Sequence, residues 1–418
     1  MLARRTLITF LAGAAVALAG AGPAVAAPVS TDGLARHTPK RPAGAVAHAA
    51  QADSRSDDMW ALKALGMVVA WLQSRGQGVT VAVLDSGANM RHRDLASHLW
   101  TNPADGSHGY DFVSSDSDPS DGNGHGTHVA GIVASIAPQA RLMIVRVLDN
   151  NAAGTTDVVA KGMRYAVDNG ARVVNLSLAG SLPSSDLESA IQYAQDRGVL
   201  VVAAAGNDSQ DLTKTPSYPA SYPEDNVVGV SATSESGRLA AISNYGAGGG
   251  ADIAAPGEDI LSTSIDGGYE WRTGTSMAAP AVAGELALLI AARPDLDAGG
   301  LRDALYTGVT RNGLPVASGS ANAPAALRQV VSAADWRSPA PTAGSAKSAP
   351  ARAAVTLVPA GKKPAASAKQ RRSAAAKRLR ASRGKSAKRA TKSAKRKRAA
   401  KRVKHRRAVQ RAKAKRRR

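Results

Sequence analysis

Three motifs of this 418-residue chain carry groups that together could break an acyl bond. Val81-Ala82-Val83-Leu84-Asp85-Ser86-Gly87 offers a carboxylate, His125-Gly126-Thr127-His128 an imidazole, and Gly274-Thr275-Ser276-Met277 a hydroxyl. A serine hydroxyl is a weak nucleophile at neutral pH. It needs an imidazole to take its proton and a carboxylate to orient and charge-compensate that imidazole.

Each group also stands where the chain is stiff. Val79 to Leu84 is an apolar, β-branched run, so a buried strand is expected to end at Asp85 and turn through Ser86-Gly87. His125 lies between two glycines, ahead of a small-residue helical pattern reaching about Ala137. Ser276 opens the apolar segment Met277 to Ala292, which places its hydroxyl near a helix N-terminus, where the dipole favours developing negative charge. Pro280 argues against a regular helix there, because proline in the second turn removes a backbone donor. Taken singly, each residue has a plainer reading: Asp85 as a turn residue, Ser276 as an N-cap, Asn207 after Gly206 as a left-handed turn. His125 and His128 would suit a metal pair, but no third ligand stands at a recognisable spacing.

Taken together, and with Asn175-Leu176-Ser177-Leu178, Ala203-Ala204-Ala205-Gly206-Asn207 and Ala255-Pro256-Gly257, the motifs resemble those of the subtilisin-like serine proteases, the subtilases, over roughly residues 60–331. The resemblance implies a catalytic triad of Asp85, His125 and Ser276, in the chain order that subtilisin shows. It implies that Asn207 supplies the side-chain donor of an oxyanion hole, with the Ser276 amide as the second donor. It also implies that a substrate peptide adds as a strand against Ser177-Leu178-Ala179 and the stretch around Ala152-Ala153-Gly154, with Ser217 at the floor of the main pocket. Ala179 stands where many relatives have glycine. A narrower pocket follows, suited to medium-sized uncharged side chains, since no acid is visible among its matching positions.

The segments between the motifs must position these groups. Apolar runs at 141–149, 172–178 and 199–206 alternate with helical patterns at 156–169 and 185–197. Alternation of this kind predicts an α/β fold of three layers, a mostly parallel central sheet with helices on both faces. The second helix begins Ser185-Asp186-Leu187-Glu188, a capping-box pattern, and is expected to stop at Gly198. No cofactor is expected to be required, and no metal is assigned. Many relatives insert a calcium loop into the helix after the catalytic histidine, whereas here Ile132 to Ile136 run straight to Pro138 and Asp94 alone matches a ligand position. A structural calcium ion would lack its usual loop. Asp116, Asp118 and Asp121 read as a solvated acidic stretch.

The ends of the chain speak to location. Arg4-Arg5, the apolar run Leu7 to Ala21 and Ala24-Val25-Ala26 predict an export signal over 1–26, of the general secretory type or, on a partial match, the twin-arginine type. Export makes the protein secreted or cell-surface associated. Residues 27–56 read as a short propeptide or linker, either unstructured or a small latch, 57–334 as the peptidase domain and 335–364 as a Pro/Ala/Ser-rich linker. Past the leader, no run approaches the ~18 apolar residues that would span a bilayer. The chain has no cysteine, so disulfides play no part.

Residues 365–418 read as a disordered basic tail. Of the 54 Lys and Arg, 30 fall between 347 and 418, where no Asp or Glu stands; the rest of the chain sets 24 against 32 acids and is mildly acidic. Such a tail suits anionic cell-surface polymers, lipid headgroups or extracellular nucleic acid, beside polypeptide substrates for the domain itself. The body is expected to be monomeric.

Overall fold

The computed structural model describes residues 27–30 and 59–338. The export signal, most of the 27–56 stretch, nearly all of the Pro/Ala/Ser-rich linker and the basic tail lie outside the described residues. In chain order the strands are β1 (Pro28–Ser30), β2 (Thr80–Asp85), β3 (Gly109–Asp111), β4 (Arg141–Arg146), β5 (Ala153–Thr155), β6 (Val173–Leu176), β7 (Leu200–Ala204), β8 (Val227–Thr233), β9 (Ile253–Pro256), β10 (Ile260–Thr263), β11 (Tyr269–Arg272), β12 (Val309–Thr310) and β13 (Ser320–Ala321). The helices are α1 (Trp60–Ala64), α2 (Met67–Gln73), α3 (His125–Ile136), α4 (Thr156–Asp168), α5 (Ser185–Gln195), α6 (Thr275–Ala292), α7 (Ala298–Thr307) and α8 (Ala323–Val330).

Nine strands form one sheet in the order β12-β13-β9-β8-β7-β6-β2-β4-β3, parallel throughout except for the antiparallel β12–β13 pair. Side chains alternate across it. Val81 and Val83 of β2 join one core with α3, α6, α7 and α8, while Ala82 and Leu84 join a second core with α4 and α5. Both faces are therefore covered, as a buried parallel sheet requires. Because the strands share one direction, Asp85, Ser177 and Asn207 all lie at or just past C-terminal strand ends, the edge where α/β sheets hold ligands.

Four local expectations change. The capping hydroxyl of α5 belongs to Ser184, which accepts from the Leu187 amide at 3.5 Å, and not to Ser185, so the capping box with Glu188 is not made. The folded body runs past 334: Trp336 packs on the core beneath the Arg328 guanidinium, and the Arg337 amide donates to the Gln73 side chain. Helix α6 has the length and apolar composition of a membrane span but is 89% buried within the protein, the central helix of its core. It also continues without a break through Pro280. Pro280 cannot donate to the carbonyl four residues back, which is that of Ser276, and the Ser177 hydroxyl donates to that carbonyl instead at 2.9 Å.

Candidate active site

His125 and Asp85 meet where the start of α3 crosses the end of β2. The Nδ1 atom of His125 lies 2.8 and 2.9 Å from the two carboxylate oxygens of Asp85, with both side chains fully buried. Facing only oxygen acceptors, Nδ1 carries the proton, which leaves Nε2 as the basic nitrogen, and Nε2 has no partner. The approach is close enough to demand glycine at 126. A Cβ there would fall 2.1 Å from the Gly87 carbonyl oxygen and 3.1 Å from the Asp85 Cβ.

Ser276 occupies the first turn of α6, 2% exposed, and its hydroxyl donates to the Ser177 carbonyl at 2.9 Å. Ser177 thus touches the nucleophile twice, as acceptor from its hydroxyl and as donor to its carbonyl. Asn207 is oriented by the residue before the nucleophile. Its Oδ1 accepts from the Thr275 amide at 2.8 Å and the Thr275 hydroxyl at 3.0 Å, so its NH2 group is the end left to donate to an anion. Thr275 itself also accepts from the Gly206 amide and was not singled out from the sequence.

A cavity of about 230 Å³ opens beside Ser276, bordered by Leu178, Ala179, Asn207 and Ser217. Asp208 also borders it, at an exposed position, contrary to the expectation of a pocket without acids. The two edges at Gly154 and Ala179 are occupied by the chain itself. Strand β1 pairs antiparallel with β5, Val29 opposite Gly154, while Ser30 exchanges two 3.1 Å backbone bonds with Ala179. Residues 28–30 are therefore not unstructured; they form the middle strand between the two edges that the sequence marked for substrate. Val29 is 2% exposed, packed with Leu148 and Leu178, and the Ala27 amide donates to Thr156 Oγ1 at 3.0 Å. Gly154 is needed for this edge, since a Cβ would meet the Val147 carbonyl oxygen at 2.6 Å.

The two histidines of this motif serve different partners, His125 the Asp85 carboxylate and His128 the core. His128 Nε2 faces the carbonyls of Ile260 and Glu270, and burial holds its pKa well below the usual imidazole range, so it is a neutral donor in the core. Asp94 accepts from the Tyr269 hydroxyl at 2.5 Å. Among the described residues no three His, Asp or Glu side chains stand together as a metal site. Helix α3 ends at Ile136 with no inserted loop.

A carboxylate–imidazole pair and a serine at the C-terminal edge of a parallel sheet define the class of serine hydrolases with three-layer α/β folds. The profile described as the Subtilase family matches residues 76–326. The chain is 42% identical over 230 residues to thermitase of Thermoactinomyces vulgaris, covering 53% of this chain and 77% of that protein. It is 40% identical over 264 residues to subtilisin Savinase of Lederbergia lenta, covering 60% of this chain and 92% of the relative. A solved cold-adapted subtilisin-like serine proteinase aligns with a TM-score of 0.54 and 35% identity over 60% of this chain and 90% of its own. The chain belongs to the subtilase family and is a serine endopeptidase.

Proposed function

We propose that the protein is an exported endopeptidase in which Ser276 attacks the scissile carbonyl, His125 takes its proton at Nε2 and returns it to the leaving amine, and Asp85 holds the imidazole. Asn207 and the Ser276 amide receive the oxyanion, and water then releases the acyl-enzyme. The observation that carries this reading is the chain's own segment 28–30, seated as an antiparallel strand between Gly154 and Ala179 with Ser30 bordering the cavity beside Ser276. A peptide backbone fits this cleft in the extended form that strand addition uses. The side chain before the cut bond enters the cavity at Ala179 and Ser217, and its preferred class is medium-sized and uncharged.

Cleavage-site profiling of a peptide library with the protein and with Ser276→Ala tests both statements. Cleavage lost in Ser276→Ala, with cuts mostly after medium uncharged residues, supports them. A dominant preference for Lys or Arg would assign Asp208 the selecting role and overturn the pocket reading.

The charge distribution supports a second component: 30 basic residues and no acid over 347–418 beside a mildly acidic body. Attached to an exported protease, this segment retains the enzyme on an anionic surface polymer, headgroup layer or extracellular nucleic acid. Such binding weakens steeply with salt. Release into medium of the full chain, compared with one ending at Ser338, measures it; equal release contradicts retention.

A further inference from the structure

We infer that Asp121 is a positioning residue for the catalytic pair, locking the end of β2 to the start of α3 so that Asp85 and His125 keep one geometry. The inference rests on the triad reading above. Asp121 looked from its neighbours like part of a solvated acidic stretch, yet its carboxylate receives five donors from two elements. Its Oδ1 accepts from the Ser86 hydroxyl at 3.0 Å, the Asn123 amide at 2.8 Å and the Gly124 amide at 2.9 Å. Its Oδ2 accepts from the Thr127 amide at 2.9 Å and the Thr127 hydroxyl at 2.5 Å.

The partners are the neighbours of the catalytic pair. Ser86 follows Asp85, donates its amide to Asp85 Oδ1 at 2.7 Å and accepts the Gly126 amide on its hydroxyl at 3.0 Å. Asn123 and Gly124 precede His125, and Gly126 and Thr127 follow it. Thr127 in turn accepts the Asn89 amide at 2.9 Å, tying in the strand exit a second time. Helix α3 has glycine at its N-cap and no capping side chain of its own. Asp121 fills that office from three residues earlier, an anion at the positive end of the helix that takes an otherwise orphaned amide. One carboxylate therefore sets both the direction in which α3 leaves and the distance between Asp85 and His125. The Asp121 carboxylate bonds to none of Asp85, His125 and Ser276. Its effect passes wholly through the placement of the pair, and displacing such a pair by a fraction of an ångström costs rate while leaving the peptide edges at Gly154 and Ala179 intact.

Steady-state kinetics on a peptide substrate test this. Asp121→Ala is expected to lower kcat on the order of 10- to 100-fold with KM changed less than about threefold. Asp121→Asn, which keeps one oxygen for the Ser86, Asn123 and Gly124 donors, recovers most of that loss. In an Asp85→Asn background Asp121→Ala costs less than about threefold more, because the geometry it guards is already without its carboxylate. Should Asp121→Ala fail to fold, Ser86→Ala breaks the same bridge and is expected to show the same split. Additive losses in the Asp85→Asn background, or a rise in KM with kcat kept, would overturn the proposal. Ser276→Ala separates the two levels: full turnover there removes the triad reading, whereas an inactive Ser276→Ala beside an unimpaired Asp121→Ala removes this inference alone.

Discussion

The two helices that present His125 and Ser276 are alike at their starts and unlike inside. Each begins after a glycine with no side-chain cap of its own, and each has its first turn fixed by a polar side chain from elsewhere, Asp121 for α3 and Asn207 for α6. Inside, α3 carries His128, a neutral imidazole whose Nε2 is matched to two carbonyls while its Nδ1 is buried without a partner. Helix α6 carries two intrusions of opposite fate. The carbonyl freed by Pro280 is answered by Ser177, while both carboxyl oxygens of Glu285 are buried without a partner. Within α6, the carbonyl of the nucleophile is answered, and the carboxyl nine residues further along is not.

The sharpest break of this comparison is to remove both helix-borne groups. His125→Ala and Ser276→Ala should each lower kcat about 10⁶-fold, and the double variant no further, since the pair acts as a unit; a multiplied loss in kcat would contradict it. Next is Glu285. Burial pushes its pKa up to about 8 from 4.5, so the neutral acid is the form the fold accepts. The stability it contributes is fully present below pH 4.5 and is lost as pH rises through about 8, a span worth on the order of 5 kcal/mol. In a Ser276→Ala background, which prevents self-digestion, the fall in Tm from pH 5 to pH 9 should shrink in Glu285→Gln; an unchanged fall refutes the assignment.

Asn207→Leu is expected to lower kcat roughly 100- to 1,000-fold, the usual cost of removing one oxyanion-hole donor, with KM little changed. The smallest effect is expected at the cleft. Val29→Asp places a charge in a 2% exposed site and should expel the strand at 28–30, lowering the apparent KM for added peptide a few-fold. A KM left unchanged would mean that this strand does not compete with substrate.

Much of this is legible in the sequence. Strand ends and helix starts were readable at Asp85, His125 and Ser276 because β-branched runs and small-residue helical patterns are local signals. What escaped depended on partners distant in sequence. Pro280 reads as a helix breaker because the hydroxyl that answers the carbonyl it frees is that of Ser177, 99 residues before Ser276. Asp121 looked solvated because its acceptor role needs Ser86, 35 residues away, although Asp121-Gly122-Asn123-Gly124 directly before His125 hinted at side-chain-capped turns. The seat of residues 28–30 was hidden for the same reason: three residues carry no periodicity, and only the waiting edges at Gly154 and Ala179 give them a strand partner. Asp208 entered the pocket border through a turn after β7 that the motif pattern did not register.

The central claim is that Ser276 is the nucleophile and depends on His125. Intact protein treated with a fluorophosphonate probe, digested and mapped by mass spectrometry, tests it most directly. One adduct on Ser276, absent in Ser276→Ala and greatly slowed in His125→Ala, is the predicted result. Folded protein that takes no label, or takes it on another serine, would contradict it.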